Sequence, residues 1–179
     1  GKTITKREAV AIAMRFIPTF SDDVDIDVKE SSKGSDFKFY SVSMSDKNSD
    51  TEAHLDLTKT VGYPIVFINN RDVGEAKISL NEGAEKAKEF LEKQNYTSMD
   101  LYESTQYDNV GMYNFVHLED GVRIYSDSIK VKIALDNGQV IGYSAEEYLQ
   151  TNKDRKLESP SITEEEAKQL HRQNGERMK

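Results

Sequence analysis

The side chains best suited to acid–base or metal chemistry at neutral pH are three histidines, His54, His117 and His171. None lies close to another in sequence. No HExxH or related ligand spacing occurs. A histidine base also needs a nucleophile and an orienting carboxylate, and spacing alone does not supply them. Carboxylates are abundant. The densest run is Asp22-Asp23-Val24-Asp25-Ile26-Asp27, in which Asp25 and Asp27 share one face of a strand. Calcium would be the natural ion for such a run, but the central glycine and terminal glutamate of an EF-hand loop are missing, so a solvated face is the expectation. The chain has no cysteine, which excludes disulfides, thiolate nucleophiles and cysteine metal sites. GxGxxG, GxxxxGK[ST] and GxSxG are all absent. The reading is of a protein that is not an enzyme, with no catalytic, metal or cofactor-binding residues.

One stretch invites a binding role instead. Tyr113, Phe115 and His117 alternate on one strand, while Met112, Asn114, Val116 and Leu118 point the other way. Apolar groups on both faces leave two possibilities. Either both faces are covered, one by a helix and one by a neighbouring unit, or one face meets a partner. Tyr113, Phe115 and His117 are the partner-binding candidates. Tyr102, Tyr107 and Tyr125 complete the local aromatic set.

The elements that position these residues repeat. Arg71, Val73, Ile78, Ser79 and Glu82 recur at the same offsets as Arg155, Leu157, Ile162, Thr163 and Glu166, and Ile4, Thr5 and Glu8 match the last three. The shared Ile-[Ser/Thr]-x-x-Glu is a capping box preceded by a hydrophobic staple. Helices follow over 6–17, stopped at Pro18, and over about 80–94, where Leu80, Ala84, Ala87 and Leu91 form an apolar stripe. After the first helix come strand-like runs at 24–28, 37–44, 53–57 and 63–68. After the second they lie at 99–103, 109–118, 128–135 and 139–143. Asp136-Asn137-Gly138, Glu119-Asp120-Gly121 and Thr60-Val61-Gly62 mark turns. A short helix is expected over 145–149, then a polar connector ending at Pro160.

The predicted fold is α+β: tandem units, each with one helix packed on a four-stranded antiparallel meander. The expected domains are 1–76, 77–160 and a truncated third start at 161–179. The chain of 179 residues carries a net charge of −8. Such acidity repels phosphate backbones and argues against nucleic acid as a partner. No apolar run reaches the length of a membrane span. The opening Gly1-Lys2, already inside a helical pattern, reads as the start of an excised piece.

Three stretches carry a family resemblance: Ile78-Ser79-Leu80-Asn81-Glu82-Gly83-Ala84 with Phe90-Leu91, Asp136 through Tyr143, and Tyr148-Leu149 with Arg155. Together they resemble tandem PepSY domains, in the version found in the YpeB family of spore germination proteins. The resemblance implies an N-terminal membrane anchor absent from this sequence and a place in the spore envelope on the outer side of the inner membrane. It implies one partner, a spore-cortex lytic hydrolase of the SleB kind, kept stable and inactive until germination. It implies no cofactor. A structural or peptidoglycan-binding spacer of the spore envelope is the alternative.

Overall fold

The computed structural model describes residues 1–16, 23–33 and 37–151. They divide into two compact units, the first Gly1–Asn70 and the second beginning at Arg71. The fold class is α+β, with antiparallel strands and few helices.

The first unit opens with helix α1 (Lys6–Phe16). Thr5 starts it as the sequence requires. Its hydroxyl accepts from the Glu8 N–H at 3.1 Å, and its own N–H donates to Glu8 Oε1 at 3.0 Å. This reciprocal pair satisfies two donors that a helix start otherwise leaves open. Strands β1 (Val24–Lys33), β2 (Phe37–Asp46), β3 (Thr51–Thr58) and β4 (Pro64–Asn69) follow, and each pairs antiparallel with the next. Alternation sorts their side chains. Ile26, Met44, Val42, Leu55 and Phe67 are buried and lie beside one another across the ladder. Phe16 of α1 meets Phe67 at 4.8 Å between ring centroids. The five residues Ala9–Ala13 are all buried, and the three alanines among them let the helix backbone approach closely. β1 runs to Lys33, beyond the Val28 expected, because its later residues alternate too weakly to be recognised. The expected stop at Pro18 lies outside the described residues.

The Val61-Gly62 turn between β3 and β4 takes left-handed φ at both residues, 71° and 87°. A Cβ on Gly62 would stand 2.9 Å from the Ile12 side chain and 3.0 Å from that of Ile4. The glycine therefore serves both the turn and the close seat of the helix. Val61 has no such freedom, and a β-branched residue there is strained.

The second unit begins with a leader, 71–79, and helix α2 (Leu80–Lys93). Ser79 and Glu82 form the same capping box as Thr5 and Glu8. Strands β5 (Met99–Tyr107), β6 (Val110–Glu119), β7 (Val122–Ala134) and β8 (Val140–Ser144) pair in sequence order, and α3 (Glu146–Thr151) closes the described chain. β7 starts at Val122, not at the Ser128 expected. Polar Ser126-Asp127-Ser128 looks like a break. A bulge opposite Val116/His117 absorbs it, so Ile124 still pairs with His117. Asn109 belongs to the loop before β6 rather than to the strand.

The two helix starts sit in matching surroundings. The Ile4 N–H donates to the Lys59 carbonyl at 2.9 Å, and the Ile78 N–H donates to the Leu135 carbonyl at 3.0 Å. Each acceptor lies just past the end of its unit's third strand. In each unit a second-strand tyrosine also bonds the helix start, from different register positions and to different carbonyls. The Tyr40 hydroxyl donates to the Ile4 carbonyl at 3.0 Å and the Tyr113 hydroxyl to the Leu80 carbonyl at 2.7 Å. Ile162, Thr163, Glu166 and Arg155, the third copy of the pattern, lie outside the described residues.

Candidate functional site

Tyr113, Phe115 and His117 do share one face of β6, as alternation demands. That face is interior. Tyr113 is 0% and Phe115 1% exposed. The Tyr113 ring lies against α2, its hydroxyl bonded to the first turn. His117 is half-buried, edge-on to Tyr148 of α3 at 6.1 Å between rings. Its Nδ1 is buried without a hydrogen-bond partner among the described residues. Tyr113 has no surface to offer a partner, and Phe115 shows only its edge, in the lining of an open cavity beside α2. The helix of their own unit covers them, because an amphipathic helix and a sheet face bury each other more economically than either waits for company. Val116, on the opposite face, is buried too.

Gly83 explains why Tyr113 fits. A Cβ there would overlap the Tyr113 hydroxyl and stand 2.9 Å from Leu135 Cδ2. The glycine that weakens helix propensity at a position where the other copies carry alanine is the socket for this ring.

Polar clusters elsewhere are tied into structure. Arg71 of the leader grips the Asp136 carboxylate with both terminal nitrogens, at 2.9 and 2.8 Å. Its Nε donates to Gln139 Oε1 at 2.8 Å and its Nη2 to Asn137 Oδ1 at 2.9 Å. Asp136 also accepts the Gly74 N–H at 2.8 Å. The Arg71 guanidinium holds the Asp136 carboxyl at about 2, below its ordinary 3.8, against the opposing effect of burial. Sequence spacing had marked Arg71 as part of the repeat without revealing its task, which is to pin the β7–β8 turn to the start of α2.

Among the described residues, the nearest approach to a catalytic array is in the first unit. Ser43 Oγ lies 3.2 Å from His54 Nδ1, and His54 Nε2 lies 2.6 Å from Asp56 Oδ1, which also accepts from the Ser41 hydroxyl at 2.7 Å. The Asp56 hydrogen bond raises the His54 pKa above 6.5. Strand pairing accounts for the set: Ser41 stands opposite Asp56 and Ser43 opposite His54 on a polar sheet face. The nearby acidic run is likewise ion-paired on the surface, with Lys47 Nζ 3.4 Å from Asp25 and Lys29 Nζ 3.9 Å from Asp27. Among the described residues no three His, Asp or Glu side chains gather in metal-binding geometry. No described helix is long and apolar enough to cross a membrane.

Among the described residues, four of the five exposed large apolar side chains are on the second unit. β5 ends the order of strands, and Tyr102, Tyr107, Val122 and Tyr125 are exposed around it. Tyr102 and Tyr125 meet edge to face, 5.6 Å apart at 78°. An open cavity of about 370 Å³ lies where α2 ends and β5 begins, with Leu91, Tyr96, Met99 and Phe115 in its lining and Lys88 and Glu92 also bordering it.

Capped helices, antiparallel meanders and a leader pinned through arginine define an α+β protein of the PepSY type. The family described as YpeB sporulation, PepSY1 and PepSY2 domains, matches residues 1–158, and the chain belongs to it. Sporulation protein YpeB of Halalkalibacterium halodurans is 43% identical over 168 residues, and that of Bacillus subtilis 42% over 170. Each match covers 94% of this chain and 37% of the relative, so the chain spans little more than a third of these proteins. The solved C-terminal domain of Bacillus megaterium YpeB is similar in fold, with a TM-score of 0.79 at 36% identity over 94% of this chain and 75% of that one.

Proposed function

We infer that the chain is a non-enzymatic regulatory module of spore germination. It binds a SleB-like cortex-lytic hydrolase, stabilising and restraining it until the cortex is to be degraded. It acts in the spore envelope, on the outer side of the inner membrane, through an anchor elsewhere in the full protein. Its working parts are tandem PepSY units, 1–76 and 77–160, each one helix on a four-stranded meander, with a third beginning at 161. The observation that carries this reading is membership of a family whose curated relatives are named sporulation proteins. The polar clusters around His54 and Arg71 add support, since strand pairing and turn closure account for them.

The test is co-purification of the full protein with the hydrolase, followed by the hydrolase's thermal midpoint and its rate on isolated cortex. Binding that raises the midpoint and lowers the rate supports the reading. A hydrolase that neither binds nor changes sinks it.

The second reading is a peptidoglycan-binding spacer. Stacking on sugar rings favours aromatic side chains in a flat row, and the exposed Tyr102 and Tyr125 rings stand at 78° to each other. That geometry favours the first reading. Sedimentation of the protein with purified peptidoglycan would reverse the preference.

A further inference from the structure

We propose that the outer edge of β5, with the cavity at its start, takes up an extended segment of a partner protein as an added strand. The proposal rests on the binding reading above and names its surface.

β5 is a terminal strand, and its only described pairing is with β6. The loop Asp108-Asn109 joins them, with Tyr107 opposite Val110. Counting back from that hydrogen-bonded pair, Thr105 and Glu103 bond β6. Ser104 and Gln106 then direct their backbone groups outward. Such a row of donors and acceptors is a template for another strand.

Proteins commonly blunt an edge with charge. β1, an edge strand of the first unit, does so with Asp25, Asp27, Lys29 and Glu30. β5 carries only Asp100 and Glu103, and both are engaged, with Arg123 and Asn114. It contains neither lysine nor proline. Its one irregularity, the bulge at Tyr102, leaves the run from Glu103 to Tyr107 regular. At the near end, the cavity between α2 and β5 offers an apolar floor for one side chain of an added segment.

Charge selects the occupant. A second copy of this chain would bring another β5, whose charged residues are acidic and which has no basic group to answer them. A segment bearing lysine or arginine among β-forming residues meets Glu103, whose partner Asn114 is neutral, and Asp108 favourably. The predicted occupant is therefore a basic, extended segment of a different protein, with one large apolar side chain for the cavity.

The experiment uses the full chain and a synthetic peptide the length of β5, alternating lysine with valine and carrying one phenylalanine. Backbone amide shifts and hydrogen exchange are read with and without it. The expected result is new amide protection at Ser104 and Gln106, whose backbone groups face outward, and not on β1, with binding weakened about tenfold by Thr105→Lys, which places like charge on the edge, and unchanged by Asp27→Lys on β1. Thr105→Lys is at an exposed position, so its melting midpoint should match the parent's. Protection on β1, protection spread over the surface, or equal binding by both variants would overturn the proposal. So would a β5 edge already protected by the chain's own residues or by a second copy. If the peptide adds to β5 but the cortex-lytic hydrolase does not bind the protein, the edge assignment stands and the hydrolase reading falls.

Discussion

Arg71 and Asp136 lie 65 residues apart in sequence and face each other through two near-parallel hydrogen bonds of 2.9 and 2.8 Å. The pair joins the strand of chain before α2 to the turn after β7. Both side chains are less than one-fifth exposed, so water screens the pair poorly, and the planar fork of arginine matches the carboxylate in a way that lysine cannot. Arg71→Ala should cost about 2–3 kcal/mol, since it strands a half-buried carboxylate. Arg71→Lys should recover less than half of that. Urea unfolding of the two variants beside the parent measures both.

Acid should reveal the same pair. The Asp136 pKa is lowered from 3.8 to about 2 in the folded chain. A depressed carboxyl contributes stability that is present above its unfolded value and is lost as pH falls through its folded value. The contribution is therefore complete at pH 6, declines below about pH 4 and is gone by about pH 2. Asp136→Asn should flatten this part of the stability-versus-pH curve. An unchanged acid limb would show that the pair is not formed in solution.

His54 acts in the opposite sense. Asp56 raises its pKa above 6.5, so its contribution is present below that value and fades as pH rises through the folded pKa. The imidazole is 40% exposed, so the effect is small, a few tenths of a kcal/mol. NMR titration of the His54 ring should give a pKa above 6.5 in the parent and a lower one in Asp56→Asn.

Gly83→Ala pits two effects against each other. Helix propensity alone predicts a gain of about 1 kcal/mol. The added methyl would overlap the Tyr113 hydroxyl and crowd Leu135, and overpacking of this kind costs about 1–3 kcal/mol. The expected net result is destabilisation. Combining Gly83→Ala with Tyr113→Phe should recover part of the loss, because the overlapping oxygen is gone. A stabilised single variant would place Tyr113 elsewhere.

Val61 holds φ at 71°, a conformation that asparagine and glycine adopt far more readily than a β-branched residue. Val61→Asn should raise stability by about 1 kcal/mol. The thermal midpoint checks this, and a lower midpoint would mean that contacts of the valine outweigh its strain.

Local rules made much of this protein legible from its residues. The capping boxes at Thr5/Glu8 and Ser79/Glu82 depend on neighbours three positions apart, and both formed as the pattern requires. Alternation told which β6 residues share a face, and glycine and asparagine marked the turns. None of these local signals says what covers a face. Tyr113 and Phe115 read as core or as contact surface from alternation alone, and the seat of α2 over them made them core. The partner of Arg71 was hidden for the same reason, since Asp136 comes near it only after a helix and three strands have folded between them. Gly83 looked like a weak point in a helix until the ring that needs its missing methyl was in place. Short-range hydrogen bonding and periodicity are written along the chain, whereas burial and long-range pairing depend on which elements pack together, and that is decided by the free energy of the folded whole.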